Sequence, residues 1–398
     1  MLATQDDVAV QRGLVARLLD ARRQSDAIFD LVRTEALYER PIAERHRIIF
    51  YVGHLEAFDW NLLHERALGL KSWQPEFERL FAFGIDPVGG GLPDDRASDW
   101  PGLSVVRDYV AGTRSRIDER LSGGSTESGG DGSSLNVLLN VAIEHRLMHV
   151  ETLSYMLHQL AFEKKVRTTD VSEPSAELAD VGMVDIPAGP VTLGLTRGGE
   201  EFGWDNEFEA HSVDVAGFAM DRGKVTNGEY AKFVAAGGYE TRALWSGEDW
   251  EWTRGREISH PVFWKRAGEE WHYRTMFEEV ALPPDWPVYV SHAEATAYAR
   301  WVGKSLPSEE EWQRAAGAGV HGLFGNGWEW TSSEFKAFPG FEAFPFYRGY
   351  SADFFDGKHF VMKGGSPVTA ECMLRPTFRN WFQAHYQYVY AGFRCVNR

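Results

Sequence analysis

Cysteine is almost missing from this chain: Cys372 and Cys395 are the only two in 398 residues. That excludes a disulfide-stapled scaffold, and with no CxxC pair it excludes the usual thiolate zinc sites. Basic charge is also short, with 41 Lys and Arg against 58 Asp and Glu for a net charge of −17. Such a balance argues against nucleic acid or an anionic membrane surface as partner, because both are polyanions. An anionic small molecule in a local basic pocket stays open. No apolar run reaches the ~18 residues of a membrane-spanning helix, and "MLATQDDVAVQRGLV" lacks the basic start and apolar run of a signal peptide. A cytoplasmic protein is therefore expected. No repeat at a solenoid period is evident.

What the chain does have is length and an uneven distribution of aromatic residues. At 398 residues it exceeds one ordinary core, and most of its 15 Trp lie beyond residue 200. Two domains of different architecture are the expectation. Residues 1–165 read as helices. "VQRGLVARLLDARRQSDAIFDLV" places Leu14, Leu18, Leu19, Ile28 and Leu31 at roughly helical spacing. "PIAERHRIIFYVGHLEAFDWNLLHERAL" predicts a helix with Pro41 in its first turn. "DWPGLSVVRDYVAGTRSRIDERL" and "LNVLLNVAIEHRLMHVETLSYMLHQLAF" predict two more. Together they suggest an antiparallel four-helix bundle, whose sites form between facing helices. "SGGSTESGGDGSS", residues 122–134, reads as a flexible loop, and residues 166–181 as a polar linker. Residues 182–398 read as a loop-rich α+β domain with a clear helix at Ser291–Lys304 and a capping-box pair, Ser308 and Glu311, opening the next.

Within the last bundle helix, "EHRLMHVETL" sets His145 and His149 four residues apart. Positions four apart differ by about 40° around a helix, so both imidazoles share one face and can reach one metal. A pair of hydrogen-bonded polar residues is the other reading. Glu151 points elsewhere and suits an ion pair better than a third ligand. His54 sits in the apolar setting "IIFYVGHLEAFDW", where a buried imidazole needs hydrogen-bond partners or a metal. His46, His64 and His158 compete with it. Imidazole ligands suit iron, copper, zinc or nickel, so the donor set alone does not choose.

The second half carries six ordered motifs: "MVDIPAGPVTLG", "MDRGKVTNGEYAKFV", "PVYVSHAEATAYARWVGKSLPSEEEW", "GNGWEWTSS", "FVMKGGSP" and "RPTFRNWF…YAGFRCV". In series they resemble the formylglycine-generating-enzyme-like fold, a relative of the C-type lectins, over most of residues 182–398. The first half resembles the DinB-like four-helix bundle. Joined in this order, the two resemble the sulfoxide-synthase family that makes ergothioneine and ovothiol. That resemblance implies a multidomain fold, an α bundle followed by an α+β domain. It implies iron(II) held by His54, His145 and His149, O2 as co-substrate, and a carbon–sulfur or carbon–selenium bond formed at imidazole C2 of N-trimethylhistidine (hercynine). By the same resemblance Tyr347 in "FYRGYSADFF" is the catalytic proton or electron donor and Tyr350 bonds the hercynine imidazole. Asn380 and Trp381 contact hercynine, the indole face suiting a quaternary ammonium.

Three positions depart from the family's pattern. Members that use cysteine or γ-glutamylcysteine carry Asp and Arg where this chain has Phe382 and Tyr386, and a Gln where it has Met148. Leaving a zwitterion's charges unpaired costs several kcal/mol. Phe382, Gln383, His385 and Tyr386 suit a neutral, hydroxyl-rich donor, as in the selenoneine synthase branch, which joins hercynine to a selenosugar. That branch is the expectation, with a thiol-using ergothioneine-type synthase as the alternative. A formylglycine-generating oxidase is a competing class, but neither cysteine fits the pattern of its copper site. A non-enzymatic lectin-like binding module and a zinc-dependent thiol transferase are the others. Oligomeric state has no signal in the sequence.

Overall fold

A computed structural model describes residues 5–82, 94–123, 134–168, 172–176, 182–199 and 201–398. The chain divides into two compact units, Met1–Thr169 and Asp170–Arg398. Most of the Gly/Ser stretch at 122–134, and parts of the linker at 166–181, lie outside the described residues.

The first unit is helical: α1 (Gln5–Asp30), α2 (Ile48–Leu63), α3 (Pro75–Leu80), α4 (Leu103–Ser122) and α5 (Leu135–Gln159). Helix α2 is apolar nearly all round, and Ile48, Ile49, Phe50, Leu55, Trp60 and Leu63 are buried. A helix with so little polar surface has to be central. It packs against α4 on one side and α5 on another, while α5 also packs along α1. The two most buried helices are thus neighbours, and they carry His54 and the His145/His149 pair.

Pro41 does not open α2, which begins at Ile48. The Ile48 N–H donates to the Glu39 carbonyl (3.0 Å) and the Ile49 N–H to the Leu37 carbonyl (2.7 Å). These tertiary bonds satisfy donors that a longer helix would have used internally. Arg47 is extended, its guanidinium bonded to the Tyr38 carbonyl and to Asp95, both at 2.8 Å. The short helix α3, with Pro75 in its first turn, was not foreseen from the periodicity.

The second unit mixes short strands and helices. In chain order they are β1 (Met183–Ile186), β2 (Gly189–Leu193), β3 (His211–Val215), β4 (Phe218–Asp221), α6 (Asn227–Ala235), α7 (Gly247–Gly255), β5 (Trp264–Ala267), β6 (Glu270–Arg274), β7 (Glu279–Ala281), α8 (His292–Trp301), α9 (Glu309–Gly317), β8 (Gly327–Glu334), α10 (Gly349–Ala352), β9 (His359–Gly365), β10 (Asn380–Gln383), β11 (Ala391–Gly392) and β12 (Val396–Asn397). The sheets run β1-β4-β12, β10-β9-β8-β11, β2-β3 and β5-β6-β7. Among the described residues only β11 against β8 is parallel. Ile186, Val215, Phe218, Met220, Ala315 and Val396 form one apolar core.

Reciprocal capping boxes open α6 (Thr226 with Glu229), α8 (Ser291 with Glu294) and α9 (Ser308 with Glu311), the last as its spacing predicts. In "GWEWTSS", Glu329 is fully buried and takes bonds from Trp312 Nε1 (3.1 Å) and Arg394 Nε (3.0 Å), with Lys224 Nζ 3.2 Å away. The glycine pair of "FVMKGGSP" is equally specific: Gly364 has φ +94°, and a Cβ there would lie 2.2 Å from the Leu323 carbonyl oxygen. Cys372 and Cys395 form no disulfide with each other. Among the described residues no helix is long and apolar enough to cross a membrane.

Candidate metal centre

His54 projects from α2, and His145 and His149 from α5, onto one buried point. His149 Nε2 lies 3.2 Å from His54 Nε2 and 3.2 Å from His145 Nε2. All three ligand atoms fall within 4.8 Å of one another, and none of the three residues is more than 4% exposed. Burial pushes the His54 pKa down to about 4. His145 and His149 are pushed well below their ordinary value too, by burial first and then by neighbouring histidines. All three imidazoles are therefore neutral at pH 7.

Hydrogen bonding alone does not account for this cluster. His54 Nδ1 sits 2.7 Å from the Phe81 carbonyl oxygen and must donate its proton there, leaving Nε2 as a bare lone pair. One proton on His149 Nε2 can serve only one of its two 3.2 Å contacts. The other then faces a nitrogen it cannot bond. A metal resolves the conflict, since nitrogen bonds of about 2.0–2.1 Å separate ligand atoms by about 3.0 Å at right angles and about 3.4 Å at tetrahedral angles. The donor set, its neutrality and the carbonyl partner on His54 all fit a three-nitrogen centre with open positions.

Aromatic side chains fix the ring planes. Phe58 stacks on His145 at 3.4 Å and 10°. Phe50 stacks on His54 at 4.8 Å and 24°, and Tyr51 lies 5.6 Å from His149. Phe50, His54 and Phe58 are successive i, i+4 positions on α2, a signal that the sequence contains and that the histidine spacing overshadowed. Gly53 has a steric reason, because a Cβ there would meet the Phe81 ring at 2.5 Å. Met148, between the two α5 ligands, is half-buried.

In the second unit, Tyr347, Tyr350 and Trp381 come together. Tyr350 lies 5.3 Å from Tyr347 and 5.2 Å, edge on, from Trp381. Phe335 stacks on Trp381 at 4.1 Å. Trp204, far off in sequence, stacks on Tyr350 at 3.9 Å. Loss of water around Tyr347, then the nearby Asp205 carboxylate, push its pKa up, so its hydroxyl is protonated at neutral pH. Burial raises Asp205 itself to about 6. It accepts from Ser351 Oγ, which in turn accepts from Asn206 Nδ2 at 3.0 Å. Trp204, Asp205 and Ser351 carried no signal in the sequence.

Strand alternation divides the remaining residues. Trp381 and Gln383 face one side of β10, and Asn380 and Phe382 the other. The Asn380 side-chain oxygen accepts from the Trp381 N–H (2.9 Å), and Gln383 is exposed. Phe382 stacks on Tyr386 at 4.9 Å. His385 forms a separate group: its ring lies parallel to Trp252 at 4.8 Å, and its Nε2 is 2.8 Å from Asp249 Oδ1. Burial works upward on Asp249, but bonds from His385 and Ser246 outweigh it and hold the carboxyl low.

Comparison with known proteins places the second unit in a domain family and relates most of the chain to named enzymes. The profile of the sulfatase-modifying factor enzyme 1-like domain matches residues 168–324 and 317–398. Hercynine oxygenase of Mycobacterium tuberculosis is 30% identical, with 84% of this chain and 89% of the relative covered. Hercynine oxygenase of Mycolicibacterium smegmatis is also 30% identical, covering 91% and 95%. Ergothioneine biosynthesis protein 1 of Neurospora crassa is 26% identical over 91% of this chain, which spans 55% of that longer protein.

Proposed function

Since this chain is an enzyme that belongs to the hercynine oxygenase family and carries its sulfatase-modifying factor enzyme 1-like domain, we propose that it is a non-haem iron(II) enzyme that uses O2 to join a chalcogen donor to imidazole C2 of hercynine. The observation that carries this reading is the convergence of three neutral, buried imidazole nitrogens from α2 and α5. His54, His145 and His149 would hold the iron. Iron, when bound, would supply a common binding point for O2 and the substrates, which is catalysis by proximity.

The chain's own residues would do the rest. Residues 1–165, a DinB-like bundle in this reading, would hold the metal, residues 166–181 would be a linker, and residues 182–398 would carry the substrate-binding residues. The Phe81 carbonyl keeps the His54 Nε2 lone pair free of a proton. Tyr347, held protonated, would serve as the proton or electron donor. Trp381 offers an indole face to the trimethylammonium of hercynine, and Tyr350, fixed by Trp204, offers its hydroxyl to the imidazole. Asn380 supplies a further polar contact.

Two donors are in view. The relatives' names support a sulfur product of the ergothioneine type, for which the sulfoxide-synthase resemblance implies cysteine or γ-glutamylcysteine as donor. One thiol, one hercynine and one O2 then balance as a sulfoxide and water. A second reading, a selenosugar donor, is supported by the uncharged Phe382/Tyr386 stack, which offers a zwitterion no charge; Met148, Gln383 and His385 belong to the same donor reading. Anaerobic iron-loaded protein, mixed with hercynine, O2 and either donor, tests both. Mass detection of a hercynine–sulfur product from γ-glutamylcysteine alone supports the first, and of a selenosugar product alone the second. Turnover with neither contradicts the proposal.

A further inference from the structure

Directly beside the three histidines lies a layer of buried charge that the metal chemistry does not use. Arg146 follows the ligand His145 on α5 and is fully buried. Its Nη1 donates to Glu56 Oε1 (2.9 Å) on α2 and Ser25 Oγ (3.1 Å) on α1. Its Nη2 donates to Asp59 Oδ2 (2.6 Å) and the Leu55 carbonyl (3.1 Å), both on α2. Glu56 also accepts from Arg114 of α4 (2.8 Å), which bonds Asp26 of α1 (2.7 Å). One guanidinium therefore ties α5 to α1 and α2, and through Glu56 to α4.

Stability is a poor reason for such a layer. Replacing a buried ion network with apolar side chains is often neutral or stabilising, and the best-attested use of buried charge is to fix register. Register is what this centre needs. Leu55 and Glu56 follow His54 on α2 and Asp59 follows Phe58, while Arg146 lies between His145 and His149 on α5. A slip of one residue between α2 and α5 would carry His54 about 1.5 Å along the axis. That is half of the 3.2 Å separation of the ligand nitrogens and far beyond the ~0.2 Å that metal–ligand distances tolerate.

We propose that Arg146, clamped by Glu56, Asp59 and the Leu55 carbonyl, is a positioning residue that sets the register of α2 against α5 and so holds His54 opposite His145 and His149. The inference rests on the three-histidine reading of the centre. Cobalt(II), a spectroscopically visible stand-in for iron(II), tests it in the full chain without recourse to turnover.

The unaltered protein should bind one equivalent, and His149→Ala should abolish it. Arg146→Lys keeps the charge but cannot reach all four partners. It should weaken cobalt binding about tenfold, the lower end of outer-ligand effects, and shift the visible bands while leaving the helical circular dichroism unchanged. The triple change Arg146→Met, Glu56→Gln, Asp59→Asn removes the clamp without stranding a charge. It should weaken binding to the same degree, and it carries the test if Arg146→Lys does not fold. A folded variant of either kind with unchanged affinity and spectrum overturns the clamp alone. Failure of the unaltered chain to bind cobalt overturns the centre and the clamp with it.

Discussion

Gly53→Ala is a small change with a large expected effect. Gly53 lies inside α2, where alanine would ordinarily stabilise by about 1 kcal/mol through helix propensity. Here the added Cβ would sit 2.5–2.6 Å from three ring atoms of the fully buried Phe81. Carbon atoms rest about 3.5–4.0 Å apart, so the ring must retreat by about 1 Å. The Phe81 carbonyl oxygen accepts the His54 Nδ1 proton, with nitrogen and oxygen 2.7 Å apart. If the backbone follows the ring, that contact reaches about 3.7 Å and ceases to be a hydrogen bond. Overpacking typically costs about 1–3 kcal/mol, and loss of a ligand's outer partner costs about 10–100-fold in metal affinity. Thermal unfolding and a metal titration of the same sample read both effects. A variant stabilised by about 1 kcal/mol with unchanged metal affinity would refute the reasoning, because propensity would then have won over the clash.

Other expectations follow from the second unit. Asp205 has a folded pKa of about 6, above its ordinary 3.8, so the folded protein binds the extra proton between those values. Its contribution to stability is complete below about pH 4 and is lost as pH rises through 6, about 3 kcal/mol in all at about 1.4 kcal/mol per pH unit. Unfolding midpoints of the parent and Asp205→Asn should draw apart as pH rises from about 4 to about 6 and keep a constant gap above that, and a gap that does not change between pH 4 and 6 would remove Asp205 from that role. Trp204→Ala removes the partner stacked on Tyr350 and should cost about 3–5 kcal/mol while raising KM for hercynine; an unchanged KM would disconnect Tyr350 from that substrate. The double change Phe382→Asp, Tyr386→Arg installs the pair of charges this chain lacks. It should raise kcat/KM for an amino-acid thiol relative to a neutral donor by about tenfold, or about 1.4 kcal/mol; an unchanged ratio would separate these residues from donor choice.

Helical spacing made His145 and His149 visible, and the apolar run around His54 marked it as an imidazole in need of a partner. Their convergence depends on α2 and α5 being adjacent, which periodicity does not report. Start signals were legible where side chain and backbone of one turn suffice, as with Ser308 and Glu311. They failed at Pro41, where the opening N–H groups of α2 bond to the Leu37 and Glu39 carbonyls of a preceding loop. Tyr347, Tyr350 and Trp381 were legible as a motif series. Trp204 and Asp205 behind them were not, since more than 130 residues separate them from Tyr347 and only the fold brings them close. Nor could spacing show that Trp381 and Phe382, neighbours in "RNWF", face opposite sides of β10.

Iron content and coordination test the account most directly. Full-length protein reconstituted anaerobically with iron(II) should hold one iron per chain, with X-ray absorption showing three imidazole nitrogens. Single changes of His54, His145 or His149 to Ala should each abolish tight binding. A chain that folds but retains no iron, or that keeps iron unchanged in all three variants, would contradict the account.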